Sequence, residues 1–534
     1  MSTNYIKANF DGKPETQAAE AVKAGCDYNC GTFYSSHLQD ALDKGVVKKD
    51  DIDKSAARLL KKGFQLGLFD PVEDVPYSGY GREQLDNAAS RQLALEGATQ
   101  SIVLLKNEPV PTTPSVAANA VATAKAQATA GPNGVQAVAA ATPLLPLAAG
   151  TKVALIGPHF NASDDLLSQY KGSNNVVYRH TPLLSISKRG NVVASAKGCG
   201  LWNADQSGFP AAAAAARQAE VAVVFLGLHP QWFDGGHGDA DEGEDNDRIN
   251  ITLADVQLKL LQAVSATGTP IVLVLINGGQ VAIPWAKEHV PAIVEAFYPG
   301  QFGGDAVASI LYGDTSPSGR LPYTMYDDDF ASRRPSIGDM DLRANGGLTY
   351  MHYTGTPLWP FGWGLSYTTF ELSWPAASVP VLRHDLQSYQ DYAGHQQTEQ
   401  SAYNVSVTNT GNVTSDVSVL AYATLEDGHS ESEAVGGGGR RNSTRGSRSG
   451  GGGGDSSGGS GRSNPAAKLS APLRKLVAFC RLRAVAPTQT AYCEMAVAPR
   501  AIAPFGSKVE AANYTVVIEL GDGSDTVAGG LEVL

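Results

Sequence analysis

Residues 242–248 read Glu242-Gly243-Glu244-Asp245-Asn246-Asp247-Arg248. Crowded carboxylates raise one another's pKa, and a general acid needs a raised pKa. Glu242, Glu244, Asp245 and Asp247 supply that crowding, and Arg248 can hold one of them ionised. Such an acid suits glycosides, where two carboxyl groups flank the scissile bond. Two other readings of residues 234–247 stand beside this one. One is a solvated acidic loop. The other is a calcium loop starting at Asp239, which departs from the EF-hand pattern at its fifth, sixth and twelfth positions. Trp232 and Phe233 suit either a sugar-stacking wall or a core.

The acidic stretch must be positioned by what precedes it. Residues 221–227, Val-Ala-Val-Val-Phe-Leu-Gly, form an apolar run that predicts a buried parallel strand. Further strands are predicted at 101–106, 153–157, 271–277 and 293–298, and helices at 210–219, 253–265 and 303–312. Strands alternating with helices imply a parallel sheet covered on both faces. In such sheets ligands bind beyond the carboxyl ends of the strands. His229-Pro230 falls just past one of those ends and could line the same cleft.

Upstream, helices are predicted at 14–24, 36–44, 51–62 and 82–98. The third has an acidic start, a basic end and Gly63 as its stop. The first three do not make a domain alone and read as the tail of something larger. Residues 108–142 are rich in Ala, Thr, Val and Pro and read as a low-complexity insertion or, in part, a frayed Ala-rich helix. Beyond residue 364 the pattern becomes short alternating strands, near 403–408, 417–424, 477–482 and 514–520, which predicts a β-sandwich. Residues 431–466, packed with Gly, Ser and Arg, interrupt it and are expected to be disordered.

Composition bounds the rest. A chain of 534 residues exceeds one core and implies two or three domains. Its net charge of −12 speaks against nucleic-acid binding, and no apolar run approaches a membrane span. No strand is followed by GxGxxG or GxxxxGK[ST], and no GxSxG stands between a strand and a helix. His159, His229 and His352 lack metal-ligand spacing, so no metal and no cofactor is expected. The five cysteines are too few and too uneven for a disulfide framework and leave room for one or two bridges. Cys26 and Cys30 are not spaced as a zinc knuckle. Six Asn-x-Ser/Thr sequons favour a secretory history, while residues 1–15 lack the apolar region of a signal peptide. Localisation stays open, with a secreted or lysosome-like site requiring a signal peptide upstream.

Several colinear motifs together resemble glycoside hydrolase family 3, and within it the β-xylosidase branch. Ala24-Gly25-Cys26-Asp27-Tyr28-Asn29-Cys30-Gly31 resembles AG-x-D-x-x-CG. Leu66-Gly67-Leu68-Phe69-Asp70-Pro71 resembles LGLFDP. Val103-Leu104-Leu105-Lys106-Asn107 resembles LLKN, and Leu145-Pro146-Leu147 resembles LPL. Glu242 to Arg248 is similar to E-x-E-x-x-DR. Tyr298-Pro299-Gly300-Gln301 with Gly303-Gly304 resembles PGQxGG, Ser318-Gly319-Arg320-Leu321-Pro322 resembles SGRLP, and residues 361–367 resemble FGxGLSY. The chain departs from the family's LPGxQ at Leu253-Ala254-Asp255-Val256-Gln257. It also departs from GRTYR at Gly347-Leu348-Thr349-Tyr350-Met351, and residues 233–241 are extra.

The resemblance implies a TIM barrel carrying an aspartate nucleophile, an α/β sandwich carrying the acid/base and a fibronectin type III-like β-sandwich. Here it implies the end of the barrel plus linker at 1–80, the α/β sandwich at 81–364 and the β-sandwich at 365–534. It assigns Glu244 as acid/base, with Glu242 as runner-up, and leaves the nucleophile outside this chain. The implied function is an exo-acting retaining β-xylosidase without cofactor, acting on β-linked xylo- or gluco-oligosaccharides. The alternatives are a β-glucosidase, or a non-catalytic carbohydrate-binding or assembly protein left by loss of the barrel.

Overall fold

A computed structural model describes residues 13–110, 142–171, 178–230, 241–243, 248–333, 341–375, 381–384, 402–425, 473–497 and 512–533. Almost all of the expected insertion at 108–142, and the whole of 431–466, lie outside the described residues. The base of the first is tied together. The Leu144 amide donates to the Glu108 carbonyl, and the Glu108 amide donates to the Pro291 carbonyl.

The central element is a six-stranded sheet. Its strands are β1 (Val103–Asn107), β2 (Lys152–Ile156), β3 (Asn191–Ala196), β4 (Val221–Gly227), β7 (Ile271–Ile276) and β8 (Ala292–Glu295). A two-stranded ribbon, β5 (His229–Pro230) with β6 (Asp241–Glu242), lies between β4 and β7 in the chain. The sheet order is β1-β8-β7-β4-β2-β3, parallel except for β1, which pairs antiparallel with β8. Strand β3, the edge strand that the sequence pattern did not reveal, is only half-buried. It lacks the continuous apolar run that marked its neighbours.

Successive residues of each strand feed two different cores. Ala222, Val224 and Leu226 join Ala154, Ile156, Leu273 and Leu275 on one face. Val221, Val223 and Phe225 join Val153, Leu155, Val272 and Val274 on the other. The first face is covered by helices at Phe209–Arg217, Asp255–Ser265 and Pro284–His289. The second is covered by Ala88–Ser101, Pro182–Ser187 and Gly303–Leu311. This double burial explains why the strands read as unbroken apolar runs. The exposed side of β1 is closed by the segment after residue 358. The indole N–H groups of Trp359 and Trp363 both donate to the Leu105 carbonyl, at 3.1 and 3.0 Å, and the Leu365 amide donates to Leu104. A covered edge cannot template aggregation.

The C-terminal region has two sheets around one core. One, ordered β10-β16-β15-β12-β13, comprises Val381–His384, Thr526–Val533, Ala512–Glu519, Ser415–Leu425 and Lys475–Val485. The other, ordered β14-β11-β9, comprises Thr490–Ala496, Ala402–Asn409 and Phe370–Ser373. A disulfide joins Cys480 on β13 to Cys493 on β14, one from each sheet. Arg320 ties this unit to the α/β sheet. Its Nε donates to the Leu520 carbonyl at 2.9 Å and its Nη1 to the Gly319 carbonyl. The motif Ser318-Gly319-Arg320-Leu321-Pro322 thus acts at this junction.

Residues 14–65 form three helices, Pro14–Lys23, Phe33–Asp43 and Lys49–Gln65, around a small cluster of Ala19, Val22, Ala41 and Val47. Arg58 clamps Asp27 with two hydrogen bonds, at 2.7 and 2.5 Å. Beyond it lies a run of exposed apolar residues: Leu60, Phe64, Leu66, Leu68, Phe69, Val72, Tyr77 and Tyr80, with Leu68 72% exposed.

The disulfide generates a stability prediction. A bridge closing a loop of this size typically contributes about 2–4 kcal/mol. The Cys480→Ala/Cys493→Ala double variant should lose that much in urea unfolding followed by near-ultraviolet dichroism. An unchanged midpoint in oxidising buffer would exclude the bridge.

Candidate active site

The carboxyl ends of the parallel strands gather the polar residues. Strand β4 ends at Gly227, whose φ is +146° and whose Cα lies so close to β7 that an added Cβ would meet the Ile276 carbonyl oxygen at 1.9 Å. Only glycine fits there. The buried Gln257 amide then reads the Gly227 backbone twice. Its Oε1 accepts from the Gly227 amide and its Nε2 donates to the Gly227 carbonyl, both at 2.9 Å. Gln257 is the final residue of the divergent LPGxQ counterpart. The retained glutamine fixes the strand end from which residues 229–243 depart.

The chain leaves at His229-Pro230 and returns at Asp241-Glu242, and the two dipeptides pair as β5 and β6. Glu242 is then held from three sides. Its Oε1 accepts from the Gly278 amide and, at 2.5 Å, from the Tyr298 hydroxyl. Its Oε2 accepts from the Gly279 amide at 2.8 Å and lies 4.0 Å from Arg248 Nε. Arg248 also donates to the Gln280 carbonyl. Close approach demands the two glycines. A Cβ on Gly278 would lie 2.8 Å from the Tyr298 ring and 2.9 Å from Glu242 Oε1. Both oxygens of Glu242 are thus engaged by donors held at the strand ends, which ties this end of its segment to the sheet edge. Glu244, Asp245 and Asp247, like Trp232 and Phe233, lie outside the described residues.

Beside Glu242 sits Glu295, the fully buried last residue of β8. Its Oε1 accepts from the Phe297 amide at 3.1 Å and its Oε2 from Asn277 Nδ2 at 3.3 Å. Burial pushes its carboxyl up to about 8, against the lowering effect of those two bonds. Phe297 adopts φ +54°, a left-handed conformation that costs a bulky residue about 1–3 kcal/mol. Burial and the neighbouring Glu242 carboxylate hold the Tyr298 hydroxyl firmly protonated, so it serves as donor.

A second cluster stands at the ends of β2 and β4. Asp165 lies between His159, at 3.2 Å, and His229, at 3.0 Å, and the His229 ring lies 5.7 Å from that of Trp202. Despite desolvation, the two imidazoles hold the Asp165 carboxyl well below the usual carboxylate range. His229 therefore falls at the predicted edge. His352 is elsewhere, near Arg343 and Asp341. A three-carboxylate group that could hold an ion occurs among the described residues at Asp327, Asp328 and Asp329, apart from this chemistry. Sequence reasoning missed Asp165, Gln257, Asn277 and Glu295 as site-building residues. For Asn277 and Glu295 the available signal was a polar residue closing an apolar run at a strand end.

Asp165 yields a prediction with a defined sign. A depressed folded-state pKa adds stability that is complete above the unfolded value near 4 and is lost as pH falls through the folded value. Asp165→Asn should therefore cost about 1–3 kcal/mol at pH 6–7. The difference from the parent should shrink as the pH is lowered below about 4. Urea titrations at pH 3, 5 and 7 test this. A penalty that grows on acidification would reverse the assignment.

Comparison with known proteins follows the same lines. Residues 102–367 match the glycosyl hydrolase family 3 C-terminal domain. The chain is 34% identical over 437 residues to "Probable exo-1,4-beta-xylosidase xlnD" of Neosartorya fischeri, covering 79% of this chain and 50% of that protein. It is 34% identical over 393 residues to Beta-D-xylosidase 1 of Arabidopsis thaliana, covering 72% and 45%. The chain spans about half the length of the curated relatives it matches. Among solved structures it superposes on a GH3 exo-beta-xylosidase (XlnD) in complex with a xylobiose aziridine activity-based probe. The TM-score is 0.71 at 27% identity, covering 99% of this chain and 59% of that one. A β-glucosidase from Listeria innocua in complex with gluconolactone gives 0.62 at 21% identity, covering 99% and 61%, a likeness of fold alone. The matched domain, the xylosidase relatives and the motifs at the strand ends agree: the chain belongs to glycoside hydrolase family 3.

Proposed function

We propose that this chain supplies the acid/base half of an exo-acting, retaining β-xylosidase, with Glu244 as the acid/base. The observation that carries the reading is the engagement of Glu242. Both of its oxygens are taken by Gly278, Gly279 and Tyr298 at the carboxyl edge of the sheet. In this reading the runner-up residue anchors the segment, and the glutamate two positions on transfers the proton. In this reading Glu244 protonates the departing glycosidic oxygen while an aspartate attacks the anomeric carbon, the carboxyls standing about 5–5.5 Å apart. Glu244 then takes a proton from the water that releases the sugar.

The aspartate comes from a TIM barrel, of which residues 1–80 carry the end and linker. Residues 81–364 are the α/β sandwich and 365–534 a fibronectin type III-like domain. The exposed apolar run from Leu60 to Tyr80 supports a barrel as its packing partner, because such a surface is stable only when covered. Asp27, in the connection between the first two helices, is committed to Arg58 and is a poor candidate for that nucleophile. The substrate is a short β-linked xylo-oligosaccharide, as the names of the relatives suggest. A β-glucoside is the second reading, which the resemblance to the family leaves open. A non-catalytic carbohydrate-binding or assembly role is the reading that the assay below separates.

A lone acid contributes about 10²–10⁴-fold, whereas enzymes typically reach about 10⁶-fold or more. The 534-residue chain alone should therefore show no measurable turnover of nitrophenyl β-xyloside or β-glucoside. A version joined to a family barrel should turn over the xyloside, and Glu244→Gln in it should lower kcat by at least about 10²-fold. Turnover by the chain alone would sink the two-part reading. Full activity of Glu244→Gln in the joined enzyme would sink the acid assignment. No turnover by the joined enzyme, with sugar binding retained, would favour the non-catalytic role.

A further inference from the structure

We propose that Glu295 is the positioning residue for the acid-bearing segment: it locks the turn at Phe297, and that turn delivers the Tyr298 hydroxyl to Glu242. The proposal deepens the acid/base reading and rests on it for its functional meaning.

The geometry forms an unbroken chain. Glu295 ends β8, and its side chain bends back to accept the amide of Phe297, two residues on. That bond closes a tight loop around a residue whose φ of +54° would otherwise be disfavoured. Reversal of the backbone at Phe297 sets Tyr298 against Gly278, with its hydroxyl on Glu242 Oε1. Asn277 completes the frame by donating one hydrogen to Glu295 and one to the Gly279 carbonyl, at 3.0 Å. The same Gly278-Gly279 turn then offers its two amides to Glu242. Glu295 thus supports the anchor from both sides, through Phe297-Tyr298 and through Asn277.

Charge gives the device a pH dependence. Glu242 and Arg248 face this cluster from the acidic segment, Tyr298 from its own turn and Tyr323 from the following segment, while Asp165 acts on Tyr298 from the β2 side. The charge felt directly by Glu295 is that of Glu242, which disfavours a second negative charge. While neutral, Glu295 fits beside the Glu242 carboxylate. Ionised above about pH 8, it repels that carboxylate and loosens the anchor.

Hydrogen exchange at the Gly278 and Gly279 amides, which Glu242 accepts, reads the anchor without any assay of activity. Exchange would be followed by mass spectrometry on the full chain at pH 6.5 and 9.5 and corrected for intrinsic rates. The buried β4 segment 221–227 serves as an internal control. Tyr298→Phe should lower protection at 278–279 about tenfold at pH 6.5, the equivalent of one hydrogen bond, with the control unchanged. In the parent, protection should fall about tenfold more between the two pH values than in Glu295→Gln, which stays neutral and keeps an acceptor for Phe297. Glu295→Leu should lose protection at both pH values. Equal pH responses in the parent and Glu295→Gln would overturn the proposal, as would parental protection in Tyr298→Phe. If Glu295→Leu unfolds, the comparison of Glu295→Gln with the parent still decides. Failure of the Glu244 assignment would appear only in the activity of the barrel-joined enzyme, so the two failures are distinguishable.

Discussion

Everything at the site depends on a parallel sheet buried on both faces. Because β2, β4, β7 and β8 run the same way between two helix layers, all of their carboxyl ends open on one edge. The backbone groups at those ends have left the ladder and must find partners. Polar side chains placed there serve two ends at once. They satisfy the strand termini, and they build a surface that can hold a carboxylate. Gln257 on Gly227 does the first, and the Gly278-Gly279 amides on Glu242 do the second.

The acidic stretch divides into an anchor and a remainder. In the proposed acid/base reading the segment must present an acid to a substrate and cannot rely on a solvated loop, since small misplacements weaken proton transfer. Glu242 gives the segment a fixed point through charge-assisted bonds to backbone and to a tyrosine. The cost is a crowded, partly desolvated cluster with a left-handed phenylalanine and a buried carboxyl. Such local strain persists where the surrounding packing over-determines it. Here β7 and β8, each wholly buried, supply that packing.

The α/β sheet and the C-terminal sandwich are joined by specific polar contacts. Arg320 reaches the sandwich strand end, and Arg481 reaches back to Ser318 at 2.7 Å. The motifs shared with the family therefore divide among strand ends, edge closure and module junctions. The exposed apolar residues near 60–80 stand apart from these.

Much of this architecture was legible in the sequence. The apolar runs at 221–227 and 271–277 marked buried strands because residues facing both cores must be apolar, and the later alternation marked strands sharing a single core. Strands β3, β9, β10, β14 and β16 escaped notice; β3 is half-buried without a continuous apolar run, and in β14 the exposed Tyr492 blurs the alternation set by the buried Cys493 and Met495. Residue types and motifs also brought Glu242, Glu244 and Arg248 forward together. Tertiary structure alone brought Glu242 to its partners, which lie 36 to 56 positions away in the chain. It alone paired Cys480 with Cys493 across two sheets, gathered His159 and His229 on Asp165, and buried Glu295 beside another carboxylate. Spacing along a chain reports local periodicity. Which strand ends meet, and what their polar residues find there, is fixed only when the sheet closes between its two layers.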